Sequence, residues 1–159
     1  MVRGLEQFRL HFAGDTEGYV LIGGVAASLL MEEAGLTFRA TKDLDIVLVV
    51  GRTELDGLRL AQADRLIPLK ASAWLDLGER AARGEKIDSK DIRKHLADVF
   101  RLFPLLGGQA RVTLPPGMAA RFGAFLARAR GEVVDLKAMG VQGGTQQGIL
   151  DQLAVIYGN

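Results

Sequence analysis

Three observations predict an α+β fold: apolar runs rich in β-branched residues within positions 1–65, helical periodicity across 66–159, and a glycine pair where the first run meets the first helix. At 159 residues the chain has the length of one compact domain, with the strand-bearing portion as its core and the helical portion packed on it. The run 19–22 is short, built of strand formers, and stops at Gly23-Gly24, so it reads as a buried strand ending in a tight turn. From Val25 the period becomes helical, with Ala26, Leu29, Leu30 and Glu33 on one face and Gly35 as the stop. Residues 44–50 form the second strand, closed by Gly51. The stretch 54–60 reads either as a further short strand or, through Asp56-Gly57, as a turn.

The helical portion follows in four pieces. Pro68 suits a first helical turn, and Leu69, Ala73, Trp74 and Leu77 continue an apolar stripe with Lys70 beside it. Asp88 and Ser89 are caps for the next helix, which has Asp91 in its first turn and Ile92, Leu96, Val99 and Phe103 on its buried side. Pro115-Pro116 precede a helix over 118–130, a loop or extended stretch spans 133–141, and a last helix covers 145–157.

Composition narrows the chemistry. The chain is 48% hydrophobic and 25% charged with a net charge of +1, the balance of an ordinary globular protein. It contains no cysteine, which removes disulfides, thiol nucleophiles and thiolate zinc sites. With two histidines, His11 and His95, and no HExxH pair, a bound metal is expected to be oxygen-ligated, hence Mg2+ or Mn2+. No apolar run approaches membrane-spanning length and the first residues lack a leader pattern, so a cytoplasmic location with no membrane partner is the expectation. Lys86, Lys90, Arg93, Lys94 and Arg101 are spread around a helix without interleaved aromatics, which is the pattern of a solvated face more than of an RNA-contacting module.

The sharpest motif is Asp43-Leu44-Asp45. Strand alternation sends both carboxylates to one face and Leu44, Ile46 and Leu48 to the other. Two residues apart on a strand is about 6.6 Å, a range at which like charges repel unless a cation lies between them. Magnesium answers that need through oxygen ligands, completed by phosphate oxygens and water. Gly23-Gly24 adds a phosphate seat, because a strand that ends in glycine and feeds a helix offers free N–H groups and close approach. A simple tight turn explains the glycines equally. No GxxxxGK[ST] occurs, and a dinucleotide fingerprint fails at Val25 and in the position of the acids at the start of their strand.

Together Leu21-Ile22-Gly23-Gly24-Val25-Ala26, Arg39-Ala40-Thr41-Lys42-Asp43-Leu44-Asp45 and the helical stretch 66–92 resemble the nucleotidyltransferase superfamily related to DNA polymerase β, in its AbiEii-type toxin and stand-alone branch. The resemblance implies a small mixed sheet in a reduced version of that fold, with a helical C-terminal half. It implies that Gly23 and Gly24 contact an NTP, that Asp43 and Asp45 bind Mg2+, and that Lys70 and Asp91 support the nucleotide pocket as further catalytic residues. The implied activity transfers a nucleoside monophosphate to a hydroxyl of RNA or protein, and an antitoxin is an implied partner. Bottom-up, Lys70 reads equally as a phosphate clamp or as a stem snorkelling from an apolar stripe, and Asp91 reads slightly more readily as a helix-dipole partner than as an acid that orients Lys70 or a metal-bound water.

The chain departs from the family between Val50 and Leu66, where there is no room for the segment that carries a third acidic ligand. Glu54, Asp56 and Asp64 are the acids at hand. A shortened sheet leaves an edge that a homodimer would cover. The alternative to an active enzyme is a remnant that binds nucleotide or a partner protein without turnover.

Overall fold

The computed structural model describes Leu5 and residues 20–38, 45–47, 54–55 and 58–158, the short strands being defined by their backbone pairing. The described chain is mostly helical and divides into two compact units, Met1–Leu66 and Ile67–Asn159.

In the first unit β1 (Val20–Ile22) runs directly into α1 (Gly23–Glu33), followed by β2 (Asp45–Val47), β3 (Glu54–Leu55) and β4 (Leu58–Arg59). The expected mixed sheet is not shown among the described residues. Among these the strands make two antiparallel pairs, β1 with β2 and β3 with β4, joined by one parallel bridge from Leu21 to Leu60. Glu54 pairs with Arg59 and Leu55 with Leu58, so the stretch 54–60 holds two short antiparallel strands where one was expected. Positions 56 and 57 themselves, with Tyr19, Leu44 and 48–51, lie outside the described residues.

Helix α1 buries Gly24, Val25, Ala26, Ala27 and Met31, whereas Leu29 and Leu30 are half-buried and Glu33 is exposed. The expected face is therefore rotated. Four small or slender residues at the helix start let its first turns sit closely against β1 and β2. The stop at Gly35 holds: its φ is 70°, and the N–H groups of Gly35 and Leu36 return to the carbonyls of Glu32 and Met31 at 3.0 and 2.7 Å. That double bond pattern is a Schellman cap, and it needs glycine at the left-handed position.

Helix α2 (Ala63–Ala82) begins five residues before Pro68, so the proline sits inside the helix and not in its first turn. Only the N–H that would return to the Asp64 carbonyl is lost, a modest defect so close to the helix start. The division between the two units falls in this same turn. The buried stripe is Ala63, Leu66, Ile67, Lys70, Ala71, Trp74, Leu75 and Gly78, while Leu69 is exposed. At ~100° per residue Leu69 stands about 140° from Trp74, so the two never share a face. Lys70 consequently lies within the stripe and not beside it.

The second unit continues with α3 (Ser89–Leu102), a 3-10 turn (Phe103–Leu105), α4 (Pro116–Ala129) and α5 (Gln146–Tyr157). Asp88 caps α3 by accepting from the Lys90 N–H at 2.8 Å. Aromatic rings bind α2, α4 and α5 together: Trp74 meets Phe125 edge-on at 5.6 Å, Phe122 stacks on Phe125 at 5.5 Å, and Tyr157 reaches Phe122 at 4.5 Å. Arg128 lies 4.9 Å over the Trp74 ring. Gly78 leaves room for that guanidinium, since a Cβ there would stand 2.9 Å from its Nη2.

Helix α5 is closed at both ends. Thr145 Oγ1 accepts from the Gly148 N–H at 3.1 Å, and Gly158 ends the helix at φ 68°. Gln146 Nε2 donates to the carbonyls of Ala129 and Glu132, fastening the start of α5 to the end of α4. Thr145→Ala is expected to lower stability by about 1 kcal/mol, the usual worth of such a cap. A change below 0.3 kcal/mol in a urea titration would show that Gln146 alone holds the end.

Candidate functional site

The first cluster of interest is the strand-to-helix corner of the first unit. Ile22 is the N-cap of α1 at φ −127° and ψ −169°, and Gly23 turns the chain at φ 68°. Any side chain with a Cβ is strained in that left-handed conformation. Among the described residues no side chain caps the helix, and its first turn carries no acid. Gly24, Val25 and Ala26 are nonetheless buried. An end of this kind presents backbone N–H groups and the positive end of the helix dipole.

The ladder register sets Asp45 opposite Ile22, at the end of β1 that meets the glycines. Paired residues of an antiparallel ladder have Cα atoms about 4.5–5.5 Å apart. Backbone pairing thus brings the β2 position of Asp45 within one residue of Gly23, although the two are far apart in sequence. Asp43 lies outside the described residues, and the side chain of Asp45 is described no further than its strand.

Lys70 and Asp91 belong to the second unit and are not brought together. The Lys70 ammonium is buried and held by Asp98 Oδ2 at 2.9 Å, with side-chain exposures of 6% and 0%. Arg101 completes the cluster, its Nη1 3.7 Å from Asp98 Oδ1 and its Nε donating to the Met139 carbonyl at 3.2 Å. Asp91 is exposed and pairs with Lys94 at 3.1 Å. Seven residues of α3 separate Asp91 from Asp98, about 10.5 Å along the axis, so the partner of Lys70 sits two turns deeper than the sequence suggested.

Asp98 is the residue that sequence reading missed. The signal was present: Lys70 and Asp98 are single opposite charges inside two otherwise apolar helical stripes, and a buried charge requires a partner. Hydrogen bonding alone suits this cluster to pinning α2, α3 and the turn around Met139. A phosphate clamp needs its ammonium at a surface.

The metal reading rests on donor chemistry. Asp43 and Asp45 supply only carboxylate oxygen, and the chain holds no thiolate, so the set fits magnesium or manganese. Among the described residues, which include neither aspartate's side chain, no group of three or more potential ligands forms a metal centre. Among the same residues no helix is long and apolar enough to cross a membrane. The comparisons add no relative: no family model, no curated protein and no solved structure matches this chain.

Proposed function

We propose that the corner formed by Gly23, Gly24 and the strand that Asp45 opens, with Asp43 two residues before it in sequence, binds a nucleoside triphosphate with magnesium and transfers its nucleoside monophosphate to a hydroxyl group of RNA or protein. The observation that carries the reading is the register of β1 with β2: the strand opened by Asp45 and the glycine-started helix, which no side chain among the described residues caps, meet at one end of one ladder. Anionic phosphate oxygens suit the free N–H groups of that helix start. Magnesium, when bound, supplies charge neutralisation of the triphosphate.

In such a transfer the acceptor oxygen bonds to the α-phosphorus, the bond from that phosphorus to the bridging oxygen breaks, and pyrophosphate leaves while the acceptor proton passes to solvent. The chain's own contribution is to hold the phosphates by backbone N–H groups and to orient the carboxylates. Lys70 is given no part, because Asp98 already holds its ammonium.

Each labelled NTP, incubated with magnesium and a mixture of cellular RNA and protein, is expected to yield label transfer that disappears in Asp43→Ala and in Asp45→Ala without change in helical circular dichroism. Calorimetry with NTP and magnesium separates the alternatives. Binding without transfer identifies a nucleotide-binding remnant; absence of both ends the nucleotide reading.

A further inference from the structure

The corner between α2 and α3 concentrates positive charge. Residues 80–94 carry six cations against three carboxylates, a surplus of three in a chain whose total is +1, so the remainder of the protein is net acidic. Every carboxylate in this segment is already engaged. Glu85 is held by Arg80 at 2.7 Å and Arg83 at 3.3 Å, and the hydrogen bond from Arg80 keeps its carboxyl below the usual range. Asp91 is taken by Lys94, and Asp88 by the N–H of Lys90.

Lys86, Lys90 and Arg93 remain, all exposed and with no carboxylate partner among the described residues. Lys90 and Arg93 are three apart on α3, which brings their Cβ atoms to about 5–6 Å. Lys86 stands two residues ahead of the cap at Asp88. Ser89, Lys90, Asp91 and Arg93 are all exposed, so the first turn of α3 projects into solvent.

We propose that this corner docks the phosphate backbone of a double-stranded nucleic acid without reading its sequence. Phosphate is the fitting partner because the patch offers charge and nothing apolar, whereas a protein interface needs an apolar centre. A duplex fits better than a single strand. Single-strand sites rely on exposed rings for base stacking, and in the second unit Trp74, Phe100, Phe122, Phe125 and Tyr157 are buried and Phe103 is half-buried. Lys94 and Arg101, which the sequence placed on the same basic surface, are withdrawn from it by Asp91, Asp98 and the Met139 carbonyl. The surface needs no nucleotide transfer by the first unit, so the two proposals fail separately.

The test is fluorescence anisotropy of the full chain with a labelled 16-base-pair duplex, as RNA in one arm and as DNA in the other, and with a single strand of equal length. Three phosphate contacts predict a slope of about −2.7 in log affinity against log salt, hence about a forty-fold loss between 50 and 200 mM. The double variant K90E/R93E is expected to weaken binding at least tenfold and to flatten the slope by about 2. R111E/K137E changes the net charge equally at exposed residues elsewhere and is expected to retain most of the binding. The arm that binds identifies the nucleic acid. No duplex binding at 50 mM salt, equal loss in both double variants, or tighter binding of the single strand overturns the proposal.

Discussion

Asp98→Ala is expected to destabilise the second unit by about 3–5 kcal/mol, because it strands the Lys70 ammonium in the interior without its carboxylate. Breaking one side of a buried pair costs far more than removing both sides, since the surviving charge keeps its full desolvation penalty. The double variant Lys70→Met/Asp98→Leu is therefore expected to recover most of the loss and to lie within about 1–2 kcal/mol of the parent. Urea titrations of the parent, both single variants and the double variant give the coupling energy directly. A loss below 1 kcal/mol for Asp98→Ala would mean that the pair is solvated and that Lys70 is free for another task. The same double variant tests the function: if nucleotide transfer survives in it, Lys70 is a structural residue, and if transfer disappears while the fold persists, Lys70 belongs to the site.

Phe125→Ala is expected to cost about as much, 3–5 kcal/mol, for a different reason. The Phe125 ring is fully buried between Trp74 and Phe122, so its removal leaves a cavity lined by two other rings and forfeits two aromatic contacts. For a chain of this size that corresponds to a fall in melting temperature of roughly 10 °C. Trp74 is the sole tryptophan and touches Phe125 directly, so its fluorescence follows the unfolding of this core. Phe125→Leu keeps most of the volume and is expected to lose less than half as much. Equal losses in the two variants would show that ring geometry, and not volume, is what the core requires.

Local sequence signals located most elements and several of their ends. Gly35 marked the stop of α1 and Asp88 the cap of α3, because each acts through its own backbone within one turn, and the expected bounds 145–157 fall within one residue of α5. The faces of α1 and α2 were less legible. In α1 small residues replaced leucines as the buried set, and in α2 the apolar appearance of Leu69 concealed a stripe that runs through Lys70. Periodicity fixes which residues share a face, but the choice between adjacent faces belongs to the partner that packs there.

The candidate site divides in the same way. Sequence by itself determined that Gly23-Gly24 ends a strand and opens a helix and that thiolate chemistry is absent, and strand alternation makes a shared face for Asp43 and Asp45 the expectation, since alternation, glycine stereochemistry and composition are local properties. Tertiary structure alone decided that Asp45 pairs across from Ile22, that Lys70 belongs to Asp98 and not to Asp91, and which cations at the α2–α3 corner have no carboxylate partner among the described residues. Those are contacts between segments distant in the chain, and a charge acquires its role only when folding selects the partner that offsets its desolvation.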